Sequence, residues 1–408
     1  MSSQNLENQT RWQQSRFYLE SYVQRLKAGE MGSLPAIAAL LTLVMLFSLT
    51  SKYFLTPINF ANLFVQSAEL MMLAAALVFV LLLGEIDLSA GVTAGVSMAI
   101  FYLLYHGGAS WQLALLAGFL FGIAVGAVIG FFVARIGVPS FVVTLGFYLG
   151  FQGLQLVLLG AGGQFRIDVA PVEALMTKNL PPMGGWIFLG VCIVLSALIS
   201  LRDRKTRLSH GLAPKPILLV IFRVASFGAL GAIAVAILNG NRSVSVIPIH
   251  GVPIVIPVVV GVLAVGTLVL DRTRFGRHLY AVGGNIEAAR RAGIKVIRIK
   301  IIAFSIASAL AVFSGLLHAS RLGGVEATAG RQIVLSGVAA AVVGGVSLFG
   351  GKGRLAQAAV GALVIATIDN GLGLLEFPAG INFLVAGGVL SLAATVDALS
   401  RKRSVGTR

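Results

Sequence analysis

Charge is what this chain has least of. Asp, Glu, Lys and Arg together make up 11% of its 408 residues, against about 25% in soluble domains, and that shortage excludes an ordinary water-soluble globule. Cysteine is nearly absent too. The single one, Cys192, lies inside an apolar run, which leaves no disulfide framework, metal cluster or thiol chemistry to build on. The five histidines are scattered, and neither an HExxH nor a GxSxG spacing occurs, so no metal centre and no hydrolytic nucleophile has a motif behind it. A phosphate loop is also missing. "GGKGR" (350–354) contains Gly-Lys, but Gly353 stands where Ser or Thr must follow, and no Gly lies five positions before Gly351. ATP and magnesium are therefore not expected on this chain. Any motor that drives it is expected on a partner.

What the chain has instead is apolar sequence: 57% hydrophobic residues and a mean hydropathy of +0.93. About twenty residues carry a helix across a bilayer. Spans are read near 34–55, 61–83, 88–106, 111–134, 140–160, 185–201, 216–238, 252–270, 299–319, 332–349, 355–374 and 380–398. The expected fold is an all-α polytopic bundle of about twelve crossings, within a range of ten to twelve. The pieces at 88–106 and 332–349 read either as spans or as broken, re-entrant helices.

A formal charge of +16 raises nucleic acid as a partner, and the placement of the basic residues argues against it. With the N-terminus inside, the inner segments hold 24 Lys and Arg and the outer loops hold 6. That bias follows the positive-inside rule and predicts that both termini are cytoplasmic. The segments are a leader over 1–33, a membrane domain over 34–398 and a basic tail over 399–408. Inside the domain lie a cytoplasmic loop at 271–298 and a region at 202–250 with extra crossings. In the leader, Trp12, Leu19, Tyr22, Val23 and Leu26 recur at helical spacing among Arg11, Arg16, Arg25 and Lys27. It reads as a helix lying on the inner leaflet or as a partly disordered tail. The first apolar run has no small-residue cleavage site and is expected to be an uncleaved anchor.

Glycine is the other abundance, at 49 residues. Gly118, Gly122, Gly126 and Gly130 repeat at four-residue spacing and predict a smooth groove for close helix packing rather than a substrate path.

The loop "RFGRHLYAVGGNIEAARRAGIKVIRIK" (274–300) is a polar island between two apolar runs. Asn285 suits an N-cap. Glu287 falls in the first turn and Arg290 and Arg291 in the last, each on the favourable end of the helix dipole. Gly293 suits the left-handed residue that closes the helix. The spacing predicts two turns over 286–292, too short to be stable alone. This is either a solvated loop helix or a slim, alanine-faced knob that docks on a cytoplasmic partner.

"DRTRFGRHLYAVGGNIEAARRAGI" (271–294), "FLTPINFANLFVQSAELMMLAAALVFVLLLGEIDLSAGV" (54–92) and "VVGGVSLFGGKGRLAQAAVGAL" (342–363) resemble three motifs of the permease subunits of ribose/xylose/galactose-class ABC importers. The similarity runs from about 34 to 398. It implies a homodimeric, non-catalytic pore in a bacterial inner membrane, separate ATPase chains and a periplasmic sugar-binding protein. It also assigns ATPase coupling to Gly284, Asn285, Glu287, Ala288, Ala289, Arg290 and Gly293, and structural roles to Gly344, Gly345, Gly350 and Gly351. Glu85, in place of a common glycine, and the 202–250 insertion resemble the xylose branch, and the implied cargo is D-xylose. The alternatives are another sugar of the family, an ion-coupled secondary transporter or, last, an embedded enzyme.

Three further sets stand on the residues themselves. Asp87 and Ser89 read as caps or a hinge for the helix that opens near 88, or as substrate contacts. Glu85 needs a charged partner at this depth, for which Arg223 is one candidate. Asn62, Gln66 and Glu69 project within one arc of the second span. They either line the sugar path or bond to neighbouring helices.

Overall fold

The computed structural model describes residues 32–160, 162–211, 216–243 and 246–406. The amphipathic leader lies almost wholly outside the described residues. Contacts divide the described residues into two units, Asn179–Val252 with the tail from Ser400 as the smaller and Gly32–Lys178 with Pro253–Leu399 as the larger.

In the larger unit the order is α1 (Leu34–Thr50), α2 (Pro57–Leu81), α3 (Ala90–His106), α4 (Trp111–Phe131) with a π-helical extension at Phe132–Ile136, and α5 (Ser140–Leu159). After these come β1 (Gln164–Arg166) and α6 (Ala170–Thr177). The smaller unit holds α7 (Pro182–Ser209) and α8 (Ile217–Asn239). The chain then continues through α9 (Val255–Arg272), α10 (Arg274–Gly284), α11 (Ile286–Arg291), α12 (Val296–Leu322), β2 (Gly324–Glu326), α13 (Ile333–Val343), α14 (Leu355–Leu374) and α15 (Ala379–Gly406). Among the described residues the strands form one short antiparallel ribbon, Phe165 opposite Val325, and the regular structure is otherwise helical.

A helix occupies each of the twelve apolar runs. Among the described residues eight are long and apolar enough to cross a membrane: α2, α4 with its extension, α5, α7, α8, α9, α12 and α14. Four apolar helices are shorter: α1, α3, α13 and the Ala379–Thr395 part of α15. The 11 residues of α13 rise roughly 16 Å, about half of a hydrocarbon core. Of the two readings of 332–349, the broken helix is the one that forms.

α2 is the centre of the larger unit. Thr56 caps it by accepting a hydrogen bond from Asn59 N, with Pro57 at the first helical position. From Ser67 to Leu83 nearly every side chain is buried, the pattern of a helix apolar all round. It packs against α12, α13 and α14. α12 is the second axis and lies against α4, α2 and α3. The glycine stripe of α4 makes the α4–α12 approach close: a methyl at Gly122 would stand 2.3 Å from a Val312 methyl, one at Gly126 2.5 Å from the Phe304 carbonyl, and one at Gly130 2.7 Å from Ile301 Cα. Packing is thus what the groove does.

In the smaller unit α7 and α8 run antiparallel. Asn239 at the end of α8 donates to the Pro182 carbonyl at the start of α7 at 3.1 Å. Below this end Arg242 is buried and donates to Gly251 O at 2.9 Å and to Asn179 Oδ1 at 3.1 Å.

Candidate functional site

The polar island folds as its residues dictate. Asn285, extended at φ −160°, accepts from Ala288 N at 2.9 Å and caps α11, a contact that stabilises such a helix by about 1 kcal/mol. Arg290 pairs with Glu287 one turn earlier at 3.1 Å, and Gly293 closes the helix at φ 80°. Ala289 is buried against its own chain, whereas Glu287, Ala288, Arg290, Arg291, Ala292 and Gly293 are exposed. A partner would therefore meet the face carrying Ala288 and Gly293.

Three backbone segments meet behind this helix. Gly283, in the last turn of α10, has no room for a side chain: a methyl would stand 1.7 Å from Leu82 O and 2.8 Å from Gly351 N. Gly351 N in turn donates to Leu82 O at 2.8 Å. Gly350 and Gly351 hold φ of 82° and 74°, a region that only glycine enters freely, and a methyl at Gly350 would meet Gly84 N at 2.7 Å. Gly344 lies equally tight against the Gln357 carbonyl, and Gly345 turns the chain from α13 toward α14 at φ 102°. Tyr280 of α10 donates to Gly353 O at 2.7 Å. Burial, with Asp271 nearby, pushes its phenol up, so the donor proton is retained at neutral pH. The stem of α11 is thereby stitched to the break between α2 and α3 and to the α13–α14 turn.

The break itself is built on Asp87. Its carboxylate is buried and accepts from Ser89 N at 2.8 Å and Ser89 Oγ at 2.6 Å, holding the first turn of α3. Ser89 sits at the N-cap position, yet its own side chain makes no cap bond. Ser140, at the start of α5, accepts from Ile86 N at 3.1 Å. Glu85 finds its partner in Lys300 of α12, 2.5 Å away; the candidate Arg223 is not that partner. Both side chains are largely shielded, at 16% and 11% exposure, so each charge depends on the other.

The polar residues of α2 separate along the helix. Asn62 is exposed. Gln66 accepts from Asn370 of α14 at 3.4 Å, and Asn370 also exchanges two 2.9 Å bonds with Asn59. Glu69 is buried, 3.2 Å from Arg321 and 2.8 Å from His318 Nδ1 of α12. The histidine contact is close but not aligned as a hydrogen bond. Glu69, Ser314, His318 and Glu326 line a small, partly open cavity of about 20 Å³, room for about one water. Of the three predicted path residues, only Glu69 lines this cavity.

A family model described as "Branched-chain amino acid transport system / permease component" matches residues 59–394. The chain belongs to that permease family. It is 33% identical over 388 residues, 93% of this chain and 95% of the relative, to the xylose transport system permease protein XylH of Escherichia coli strain K12. The XylH of Haemophilus influenzae is 32% identical over 386 residues, covering 93% of this chain and 99% of the relative. The ribose import permease protein RbsC of Bacillus subtilis strain 168 is 30% identical over 377 residues, covering 92% and 95%. No solved structure matches the chain.

The buried polar contacts of this permease also rest on residues outside the sequence-predicted sites: Lys300, His318, Arg321, Asn59 and Asn370. A signal was present for two of them. His318 lies inside the 299–319 apolar run and Arg321 just past its end, and an ionisable group at that depth is costly unless it pairs or faces water. Their spacing puts them on one helix face, and only the packing of α12 on α2 reveals the carboxylate they meet.

Proposed function

We propose that this multi-pass membrane protein is the pore-forming subunit of an ATP-driven importer for a pentose, D-xylose. Two copies form the path in a bacterial inner membrane, a separate ATPase hydrolyses ATP, and a periplasmic binding protein delivers the sugar. The chain crosses ten to twelve times, with α3 and α13 the partial helices and both termini cytoplasmic. The observation that carries this reading is α11: a capped, exposed helix too short to exist alone, whose stem is bonded through glycines to the interrupted helices of the bundle. Such a helix converts closure of a docked motor into movement of the span breaks. The names of the relatives support a sugar as cargo, with xylose ahead of ribose. Asn62, Gln66 and Glu69 belong to the outer half of the path in this reading, with Glu69 held closed by α12.

The test is reconstitution of the permease with a sugar-importer ATPase in proteoliposomes. Xylose-loaded binding protein is expected to raise ATP hydrolysis and drive xylose uptake, and ribose-loaded protein to do so less. Xylose uptake driven by an ion gradient with no ATPase present would replace the reading with a secondary transporter.

A further inference from the structure

A recess of about 850 Å³ opens between the π-helical end of α4 and the start of α12. Its lining carries Arg290, Lys295, Arg298 and Lys300 with Val133, Ile301 and Ile302; no carboxylate lines it, and Lys300 is already paired with Glu85. Glu287 is paired with Arg290, while Lys295 and Arg298 are exposed and make no ion pair among the described residues. We infer that this recess binds an anionic phospholipid, with the phosphate between Lys295 and Arg298 and an acyl chain against the isoleucines.

Three features select that occupant. The recess lies at the ends of two helices apolar and long enough to cross a membrane, the depth at which headgroups reside and where Lys and Arg extend toward the interface. Its charge is of one sign, and basic pockets between membrane helices suit phosphate headgroups. Beyond Lys300 its wall turns apolar along α12 at Ile301 and Ile302, which complements an amphiphile. A soluble anion would leave that wall bare, and a docked soluble protein would meet the rim alone. The volume suits a headgroup with its glycerol and the first acyl segments. Ile286 and Arg290 of α11 border the same recess, so a lipid seated there would buttress the coupling helix on the side away from the glycine junction. The inference is independent of which sugar is carried.

The full-length permease in phosphatidylcholine nanodiscs provides the test. Ile297→Trp places an indole at a position 38% exposed that also lines the recess, and the emission of the parent chain is subtracted. Brominated phosphatidylglycerol is expected to quench this indole at a mole fraction about twenty-five-fold lower than brominated phosphatidylcholine, since each of the two cations favours an anionic lipid by about fivefold. Lys295→Gln/Arg298→Gln is expected to bring the preference below about twofold, and Arg298→Gln alone to lower it about fivefold should the double variant not insert. Excess inorganic phosphate is expected to leave the quenching unchanged. Equal quenching by both lipids overturns the inference. So does a preference that survives the loss of the cations, even if that variant no longer retains an ATPase subunit, because the cations would then serve a protein. Release of the lipid by phosphate also overturns it, assigning the cations to a free anion. Xylose uptake in the same variants, read separately, reports on the transport function and not on the lipid.

Discussion

At the scale of single residues, two neighbouring glycines make opposite predictions. A methyl at Gly283 lands 1.7 Å from Leu82 O, whereas one at Gly284 meets nothing within 4 Å. Backbone cannot yield as a side-chain tip does, so Gly283→Ala is expected to force the junction apart and lower uptake at least tenfold in a protein that still inserts. Gly284→Ala is expected to transport within about twofold of the parent, because an exposed helix gains from alanine over glycine. Uptake normalised to membrane-inserted protein reads both. The Glu85–Lys300 pair gives a second prediction. Removing one partner of a shielded pair leaves a stranded charge and destabilises by about 3–5 kcal/mol. Glu85→Gln alone is therefore expected to lower the thermal midpoint in detergent more than Glu85→Gln with Lys300→Gln. A double variant worse than the sum of the singles would show that the pair is not what holds α12 to the break.

At the scale of elements, the glycine stripe of α4 contrasts with Gly150 of α5. Gly126 abuts the Phe304 carbonyl of α12, while Gly150 has open space around it. Gly126→Val is expected to prevent stable assembly of the bundle, seen as loss of monodisperse protein on extraction, and Gly150→Val to leave the isolated subunit intact. Length also decides at this scale. α13 stops at Val343 because Gly344 and Gly345 turn the chain back against α14, so an apolar run that read either as a span or as a broken helix forms half of one. Ala289 was legible as part of a slim helix but not as its inward face, because periodicity alone does not say which side of a two-turn helix meets its own protein.

At the scale of the whole molecule, the basic residues predict which side of the membrane each loop occupies. In a Cys192-free background, a cysteine at position 286 or 203 is expected to react with a membrane-impermeant thiol reagent only after the cells are opened. A cysteine at position 52 is expected to react in intact cells. Labelling of position 286 from outside would reverse the orientation. The sequence alone determined much of this protein. The shortage of charge and the long apolar runs placed it in a membrane, because unpaired charge and open backbone cannot be left in lipid. The Asn285 cap, the Glu287/Arg290 ends and Gly293 specified α11, because capping is local chemistry within one or two turns. Three motifs in order placed the chain in its family. Only the tertiary structure decided which charges meet. Glu85 with Lys300 and Glu69 with His318 and Arg321 are joined across 215 and about 250 positions of chain, and no local pattern encodes such a distance. The same holds for the glycine junction, where each glycine is required by a backbone from elsewhere in the fold. A glycine shows in the sequence, but the neighbour that forbids its side chain exists only after the helices pack.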